Sequence, residues 1–311
     1  MIEALLLLLG VGLVAGIAGG GGGSSDDEEN PGNEETLFSE GEDDTYDGNA
    51  LANSFDGGLG VDTIFGRGGD DTLSGGPGDD FIDGNADNDT IDGGIGEDEL
   101  YGGAGMDTIR GGDQNDFIRG GDGDDDLFGE DGDDTIEGAL GSDTIDGGEG
   151  MDNLRGNQGG DTLIGGLGTD TMDGDPGDDT LDGRVLVLGE DTDVRDTMIG
   201  GNGADRLILG TDDQAWGGEE GGPNDDDADT FVSGAWIDGA APVVNDYDDG
   251  TDQIELLYSG PEPSVVVTAD TDGPDTIFEV EIDGELVLVV NAGPAPGYVL
   301  MAEDINLVPT I

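Results

Sequence analysis

An aspartate recurs at every ninth position through the middle of the chain, from Asp62 to Asp179. Two positions after each of these aspartates lies Ile, Leu or Met, and five positions before it lies a glycine. Carboxylate oxygens are the ligands that hard divalent cations such as calcium and magnesium prefer. The residue type and its spacing therefore indicate that cations are bound many times along the chain.

The composition excludes most other chemistry. The chain has 77 Asp and Glu against seven basic residues, all of them Arg, and its net charge is −70. A surface this negative repels nucleic acid and anionic lipid and attracts cations. The absence of Cys excludes disulfides, iron–sulfur clusters and thiol nucleophiles, and the absence of His excludes imidazole catalysis and most zinc sites.

Carboxylates could also serve as the acid and base of a glycosidase, but no pair stands out among so many acidic residues. A serine triad would lack its histidine base, and no phosphate-binding loop is followed by a lysine. We therefore predict that the protein is not an enzyme, with no catalytic residue and no organic cofactor.

The aspartates belong to a nine-residue unit that repeats fourteen times without a gap, from Gly57 to Asp182. Its first position is always Gly, its sixth Asp and its eighth apolar, and its fourth position is Gly in twelve units. A six-residue turn followed by a three-residue strand fits this pattern, so two units close one flattened coil of 18 residues. The sequence predicts an all-β fold with two parallel sheets, whose eighth-position side chains meet between them.

Stacking these coils brings carboxylates together. Asp62 and Asp80 fall on one edge, and Asp71 and Asp89 on the other. Two carboxylates about 4.8 Å apart repel by about 1 kcal/mol in water and roughly 3.5 kcal/mol at an effective dielectric constant of 20. Without counter-ions we expect no folding. A divalent ion between successive turns on one edge removes the repulsion, so binding and folding become one event.

The unit Gly-Gly-x-Gly-x-Asp-x-apolar-x, as in Gly102–Arg110, resembles the haemolysin-type, or repeats-in-toxin (RTX), calcium-binding nonapeptide. The resemblance covers Gly57–Asp182 strictly and Gly48–Val232 loosely. It implies a parallel β-roll in which calcium lies between the turns of repeats i and i+2. The sixth-position carboxylate and turn carbonyls would bind each ion, which gives twelve sites in the strict array.

The resemblance implies the following calcium ligands: Asp62, Asp71, Asp80, Asp89, Asp98, Asp107, Asp116, Asp125, Asp134, Asp143, Asp152, Asp161, Asp170, Asp179 and Asp205. Aspartates at fifth, seventh or ninth positions, such as Asp124, are interpreted as a solvated face. Asp87 and Gln114 replace the fourth-position glycine in two repeats, so those two turns depart from the pattern of the family.

The N-terminal part divides into an apolar segment at residues 1–24 and an acidic, flexible linker with the first strands at residues 25–47. As a helix, the apolar stretch Ala4–Ala18 would be about 22 Å long, which is short of a bilayer core of about 30 Å. The sequence favours an export segment or a tether that contacts the membrane through residues 4–18 over the third interpretation, a buried helix of a soluble domain.

The roll is predicted over residues 48–232 and a small β-rich cap over residues 233–311. Within the roll region, Asp212–Asp227 is rich in Gly and acids and is interpreted as an exposed loop. In the cap, Asp283-Gly284 indicates a type I′ hairpin turn between two alternating apolar strands. Together with other strand candidates, including Gln253–Leu257, it suggests an antiparallel cap with its own core.

Val244–Asp248 and Gly250–Leu256 resemble the segment that follows the roll in secreted RTX proteins. The C-termini of those proteins carry an uncleaved type I secretion signal, so the resemblance implies contact with a secretion apparatus.

The sequence favours a secreted, extracellular calcium-binding protein that folds outside the cell. An alternative is a tethered cell-surface structural or adhesive protein with a matrix or surface partner. A third hypothesis is a binding or folding module related to polysaccharide-modifying enzymes.

Overall fold

The computed structural model describes residues 36–38, 41, 43–184, 186–187, 190–191, 195–218, 228–234, 241–245, 252–258, 265–270, 277–282, 285–291 and 305–309. Every regular element in these ranges is a β-strand, and the described residues contain no helix. The apolar segment at residues 1–24, most of the acidic linker, residues 246–251 of the secretion-like stretch and the predicted turn Asp283-Gly284 lie outside the described residues.

Over residues 36–182 and again over residues 197–258, consecutive strands alternate between two sheets. In hydrogen-bonded order, the first sheet contains β1 (Thr36–Phe38), β3 (Ser54–Asp56), β5 (Thr72–Pro77), β7 (Thr90–Ile95), β9 (Thr108–Asp113), β11 (Asp126–Asp131), β13 (Thr144–Glu149), β15 (Thr162–Leu167), β17 (Thr180–Asp182), β21 (Arg206–Ile208), β23 (Thr230–Gly234), β25 (Gln253–Tyr258) and β29 (Ile305–Pro309).

The second sheet contains β2 (Thr45–Asn49), β4 (Thr63–Arg67), β6 (Phe81–Ala86), β8 (Glu99–Ala104), β10 (Phe117–Asp122), β12 (Thr135–Leu140), β14 (Asn153–Gln158), β16 (Thr171–Asp173), β20 (Thr197–Ile199), β22 (Gln214–Trp216), β24 (Val243–Val244), β28 (Glu285–Asn291), β27 (Ile277–Ile282) and β26 (Val265–Asp270). A separate two-stranded antiparallel ladder joins β18 (Leu186–Val187) to β19 (Glu190–Asp191).

From β1 to β15, each strand pairs in parallel with the strand 18 residues further along, whereas β16 and β17 pair with strands 26 residues further along. Leu73 lies opposite Ile91, for example, and Ile91 lies opposite Ile109. Two nine-residue units therefore form one coil, as the sequence predicted, and the parallel β-roll is confirmed.

The core is a single file of apolar side chains between the two sheets. The eighth-position residues, Ile64 through Leu181, are all at most 1% exposed. At the N-terminal end the file begins with Tyr46 and Phe55, whose rings stack with centroids 4.4 Å apart. Because each strand contributes so little apolar area, the backbone ladders and the turns must supply much of the stability.

The fourth-position glycine is required by both conformation and space. At Gly78 φ is 151°, and a Cβ there would collide with the carbonyl oxygen of Gly60 in the preceding coil. Asp87 and Gln114 instead adopt φ of 73° and 85°. The turn conformation therefore changes at both residues, but Gln114 still donates its N–H to the carbonyl of Asp131 at 2.7 Å.

The predicted exposed loop is wrong in its first part. Within Asp212–Asp227, Gln214–Trp216 forms strand β22 of the second sheet, and Ala215 is completely buried. Asp213 and Ala215 keep the aspartate–x–apolar spacing of the repeat. The pattern is hard to recognise here because alanine replaces the Ile, Leu or Met of the other repeats. Residues 219–227 lie outside the described residues.

The cap is only partly antiparallel. Strands β26, β27 and β28 pair antiparallel, whereas β25 and β29 extend the first sheet in parallel. The expectation of a wholly antiparallel cap is therefore wrong for Gln253–Leu257. The physical reason is that the last strand of a roll leaves unpaired N–H and C=O groups, which the following strands satisfy by continuing the same ladder.

Candidate metal centre

The sixth-position aspartates lie where each turn enters its strand, and all of them are buried. Each predicted ligand, from Asp62 through Asp179 and including Asp205, is at most 4% exposed. The 18-residue coil sorts them into two columns, one on each edge of the roll. Buried carboxylates are rare unless they are paired or bound to metal.

One oxygen of each carboxylate is held by the backbone of the preceding coil. Asp80 Oδ1 accepts a hydrogen bond from the N–H of Asp62 at 2.7 Å, and Asp98 Oδ1 accepts one from Asp80 at 2.7 Å. On the other edge, Asp89 Oδ1 accepts one from Asp71 at 2.8 Å. The column is thus a continuous ladder, and it passes through the two irregular repeats without a break.

The other oxygen of these carboxylates has no hydrogen-bond partner although it is buried. This holds for Oδ2 of Asp62, Asp71, Asp80, Asp89, Asp98, Asp107, Asp116, Asp125, Asp134, Asp143, Asp152, Asp161 and Asp179. An unsatisfied buried carboxylate oxygen is costly, so a repeated array of them requires an explanation such as a bound ion.

The first-position glycine makes room for this oxygen. A Cβ on Gly57 would collide with Asp62 Oδ2 and would lie 2.7 Å from the carbonyl oxygen of Gly75 in the next coil. A Cβ on Gly75 would likewise collide with Asp80 Oδ2 and lie 2.8 Å from the carbonyl of Gly93. Each cradle therefore places a carboxylate oxygen near a backbone carbonyl, and both are suitable calcium ligands.

Burial raises the pKa values of these carboxyl groups, and neighbouring carboxylates add to the effect in most of them. The pKa rises to about 6 at Asp71, Asp80, Asp125 and Asp134, to about 7 at Asp89, Asp98, Asp143, Asp152 and Asp179, and to about 8 at Asp116. The pKa values of Asp62, Asp107 and Asp161 are also raised by burial. Near neutral pH the ionised column is therefore unfavourable without a compensating cation.

Carboxylates alone do not complete a site. In the part of the chain that the structure describes, no three acidic side chains are arranged to hold a metal ion. Backbone carbonyls such as those of Gly75 and Gly93 must supply further ligands. With that addition, the buried Oδ2 atoms and the oxygen-lined cradles fit a hard divalent cation.

Three aspartates that were not among the predicted ligands extend the columns, and two of them, Asp196 and Asp229, lie in segments where the repeat pattern resumes after its interruption. Asp196 accepts a hydrogen bond through Oδ1 from Asp170 N–H at 2.8 Å, and Asp213 accepts one from Asp196 N–H at 2.9 Å. Asp229 accepts one from Asp205 N–H at 2.9 Å. The aspartate–x–apolar spacing was the available signal in all three cases. The Oδ2 atom of Asp213 also accepts a hydrogen bond from Gly210 N–H at 2.6 Å.

The fifth position carries a second ladder, which the interpretation of these side chains as a solvated face did not predict. Asp124, interpreted as solvated, is exposed but accepts a hydrogen bond through Oδ1 from Ser142 N–H of the next coil at 2.9 Å. Asp79 does the same for Glu97 at 3.1 Å. Both ladders therefore link the same turns of successive coils, one through exposed fifth-position side chains and the other through buried sixth-position side chains.

A family model described as the RTX calcium-binding nonapeptide repeat matches overlapping segments that together cover residues 38–181 and 192–219, more than half of the chain. The chain belongs to the RTX calcium-binding repeat family. The match includes Asp196 and Asp213, in agreement with the extended columns. A search of curated proteins found no match.

Membership of the RTX family indicates that the protein is a calcium-binding β-roll. In the described ranges, no helix is both long and apolar enough to cross a bilayer. The apolar segment at residues 4–18 is not among the described residues.

Proposed function

We propose that the protein is secreted, has no catalytic activity, and folds when it binds calcium outside the cell. The observation that carries this proposal is the pair of buried aspartate columns, in which one oxygen of each carboxylate bonds to the backbone and the other has no hydrogen-bond partner at thirteen positions. Sixth-position carboxylates and turn carbonyls would hold the ions, with Asp62 and Asp80 as one example of neighbours on the same edge.

Calcium would supply positive charge that neutralises neighbouring carboxylates. The chain's own residues do the rest. Asp Oδ1 fixes the carboxylate to the preceding coil, and the first-position glycine leaves Oδ2 uncovered by a side chain. At the low calcium concentration of a cytosol the ionised columns would oppose folding, whereas sites of extracellular calcium-binding modules are filled at about 0.1–1 mM.

Calorimetric titration of the chelator-treated full-length chain tests the binding part of the proposal. We expect several calcium ions to bind per chain between about 10 µM and 1 mM, with a large heat because folding accompanies binding. If calcium produced no heat and no change in secondary structure up to 10 mM, the proposal would be wrong.

Fractionation of a producing culture tests the location. We expect intact protein in the medium, with and without chelator. Retention in the membrane fraction in chelator would instead favour the tethered surface protein, and retention in the cytoplasm would contradict both.

A further inference from the structure

The two outer faces of the roll differ in composition. On the second sheet, four rings lie on four consecutive strands: Phe65 on β4, Phe81 on β6, Tyr101 on β8 and Phe117 on β10. The ring centroids of neighbouring members, taken in chain order, are 5.7, 5.6 and 5.8 Å apart. We call these four residues the aromatic row. On the first sheet the seventh and ninth positions of β5, β7 and β9 are polar, and β11 carries a single ring, Phe128; the polar residues are Thr72, Ser74, Thr90, Asp92, Thr108 and Arg110.

Acidic side chains lie between the rings. Asp83 is directly opposite Phe65 on one side and Tyr101 on the other. Glu99 is directly opposite Phe81 and Phe117. The seventh and ninth positions of these strands thus form a checkerboard of rings and carboxylates, with every ring partly exposed.

This combination attracts cations in two ways. The face of an aromatic ring carries negative potential and holds guanidinium or ammonium groups, and a carboxylate beside it adds Coulomb attraction. The protein already shows the first contact within itself, because the Arg67 guanidinium lies 5.2 Å from the Phe65 ring centroid. The whole chain adds long-range attraction, since neutralising the fifteen predicted calcium ligands would leave most of its 77 acidic side chains charged.

We propose that the aromatic row binds a cationic segment of a partner polypeptide, with Arg or Lys side chains over the rings and against Asp83 and Glu99. An extended segment in which every second residue is basic presents its charged groups about 6.6 Å apart on one face. That spacing is close to the distance between neighbouring rings. The row thus provides a sequence of similar sites along the roll.

The test uses the calcium-loaded full-length chain and a capped decapeptide of alternating Arg and Gly, with binding followed by calorimetry at 0.15 M and 0.5 M NaCl. The test variant is the double substitution Phe81→Thr with Phe117→Thr. Thr already occupies nine of the fourteen seventh positions, so the roll should be retained. The control is Phe128→Thr, which removes a ring from the first sheet.

We expect the double variant to bind the peptide about five- to thirty-fold more weakly at both salt concentrations, from the loss of two exposed cation–π contacts. The control should bind like the wild type. A second pair of variants distinguishes a local effect of charge from the effect of net charge. Asp83→Asn, beside the aromatic row, should weaken binding more than Asp92→Asn, which removes one negative charge from the first sheet.

Four results would overturn the proposal. The wild type could fail to bind the peptide, the double variant could match the Phe128→Thr control, or Asp83→Asn could match Asp92→Asn. Binding of an uncharged glucose hexasaccharide in preference to the peptide would also overturn it, and would assign the row to a polysaccharide. Circular dichroism in calcium should show an unchanged strand signal in every variant.

Discussion

Substituting Asp116 by Asn should stabilise the roll without calcium and destabilise it with calcium. Asp116 is 4% exposed, its Oδ1 accepts the N–H of Asp98 at 2.8 Å, and its Oδ2 has no hydrogen-bond partner. Asparagine has the same shape and retains an oxygen that can accept this bond. The substitution therefore removes the charge with little change in packing.

The size of the effect follows from the burial of the carboxylate. Burial, with a contribution from Asp98 and Asp134, raises the pKa of Asp116 from 3.8 to about 8. Keeping the group ionised in the calcium-free roll at pH 8 therefore costs on the order of 5 kcal/mol. Asparagine avoids this cost, but its buried side-chain NH₂ group destabilises the roll by about 1–3 kcal/mol if it finds no acceptor. We expect a net gain of roughly 2–4 kcal/mol in chelator.

In saturating calcium the sign reverses, because the variant lacks one of the proposed anionic ligands. Each site lost at a calcium concentration of one hundred times its dissociation constant removes about 2.7 kcal/mol of stabilisation. Circular dichroism measures both arms: urea unfolding in calcium, and folding induced by trimethylamine N-oxide in chelator. The control is Asp113→Asn, which removes the same charge from an exposed position of the same repeat.

The urea midpoint of Asp116→Asn should fall below that of the control in calcium, and its osmolyte midpoint in chelator should also fall, because it folds more readily. If both arms showed destabilisation, or if the two variants behaved alike, the carboxylate would not be the group that opposes folding.

Three further predictions concern pH, the first-position glycine and the fourth position. The carboxyl pKa values in the folded roll, about 6 to 8, lie above the unfolded value of 3.8. Protonation therefore stabilises the calcium-free roll, and its strand signal in chelator should increase as pH falls from 8 to 5. Over the same range the calcium concentration needed for folding should rise, because protons compete with calcium for the proposed ligands. Gly102→Ala should raise the calcium midpoint and lower stability by about 2–3 kcal/mol, because its Cβ would collide with Asp107 Oδ2, whereas Thr108→Ala should change stability by less than about 1 kcal/mol. Gln114→Gly should increase the free energy of unfolding by up to about 1 kcal/mol and so raise the urea midpoint, because glycine adopts the left-handed φ of 85° without strain. Gln158→Gly, at an exposed position without a positive φ, should lower the urea midpoint.

The regular part of the fold could be predicted because a nine-residue period constrains it completely. The apolar residue at the eighth position of each nine-residue unit, such as Ile91, can be buried only if two units close a coil. The same period places Asp71 and Asp89 on one edge. The prediction failed where the period slips. Asp213 and Ala215 keep only two positions of the unit, and the coil before Asp196 is longer, at 26 residues from Asp170.

The sequence alone does not determine which groups each aspartate carboxylate contacts. The sequence shows an aspartate at position six, but not that Oδ1 bonds to the preceding coil while Oδ2 lies against the first-position glycine. It also does not show that fifth-position side chains such as Asp124 bond to the following coil. The aromatic row escaped notice because its members alternate between the seventh and ninth positions, so neither column taken alone contains a run of rings.

Far-UV circular dichroism of the full-length chain, in chelator and then with calcium added at pH 7.5, tests the central claim most directly. The buried, incompletely bonded carboxylates predict little strand signal in chelator, a strong parallel-strand signal when calcium reaches about 1 mM, and loss of that signal when chelator is restored. The same strand signal in chelator as in calcium would show that the carboxylate columns fold without a cation, and would contradict the claim.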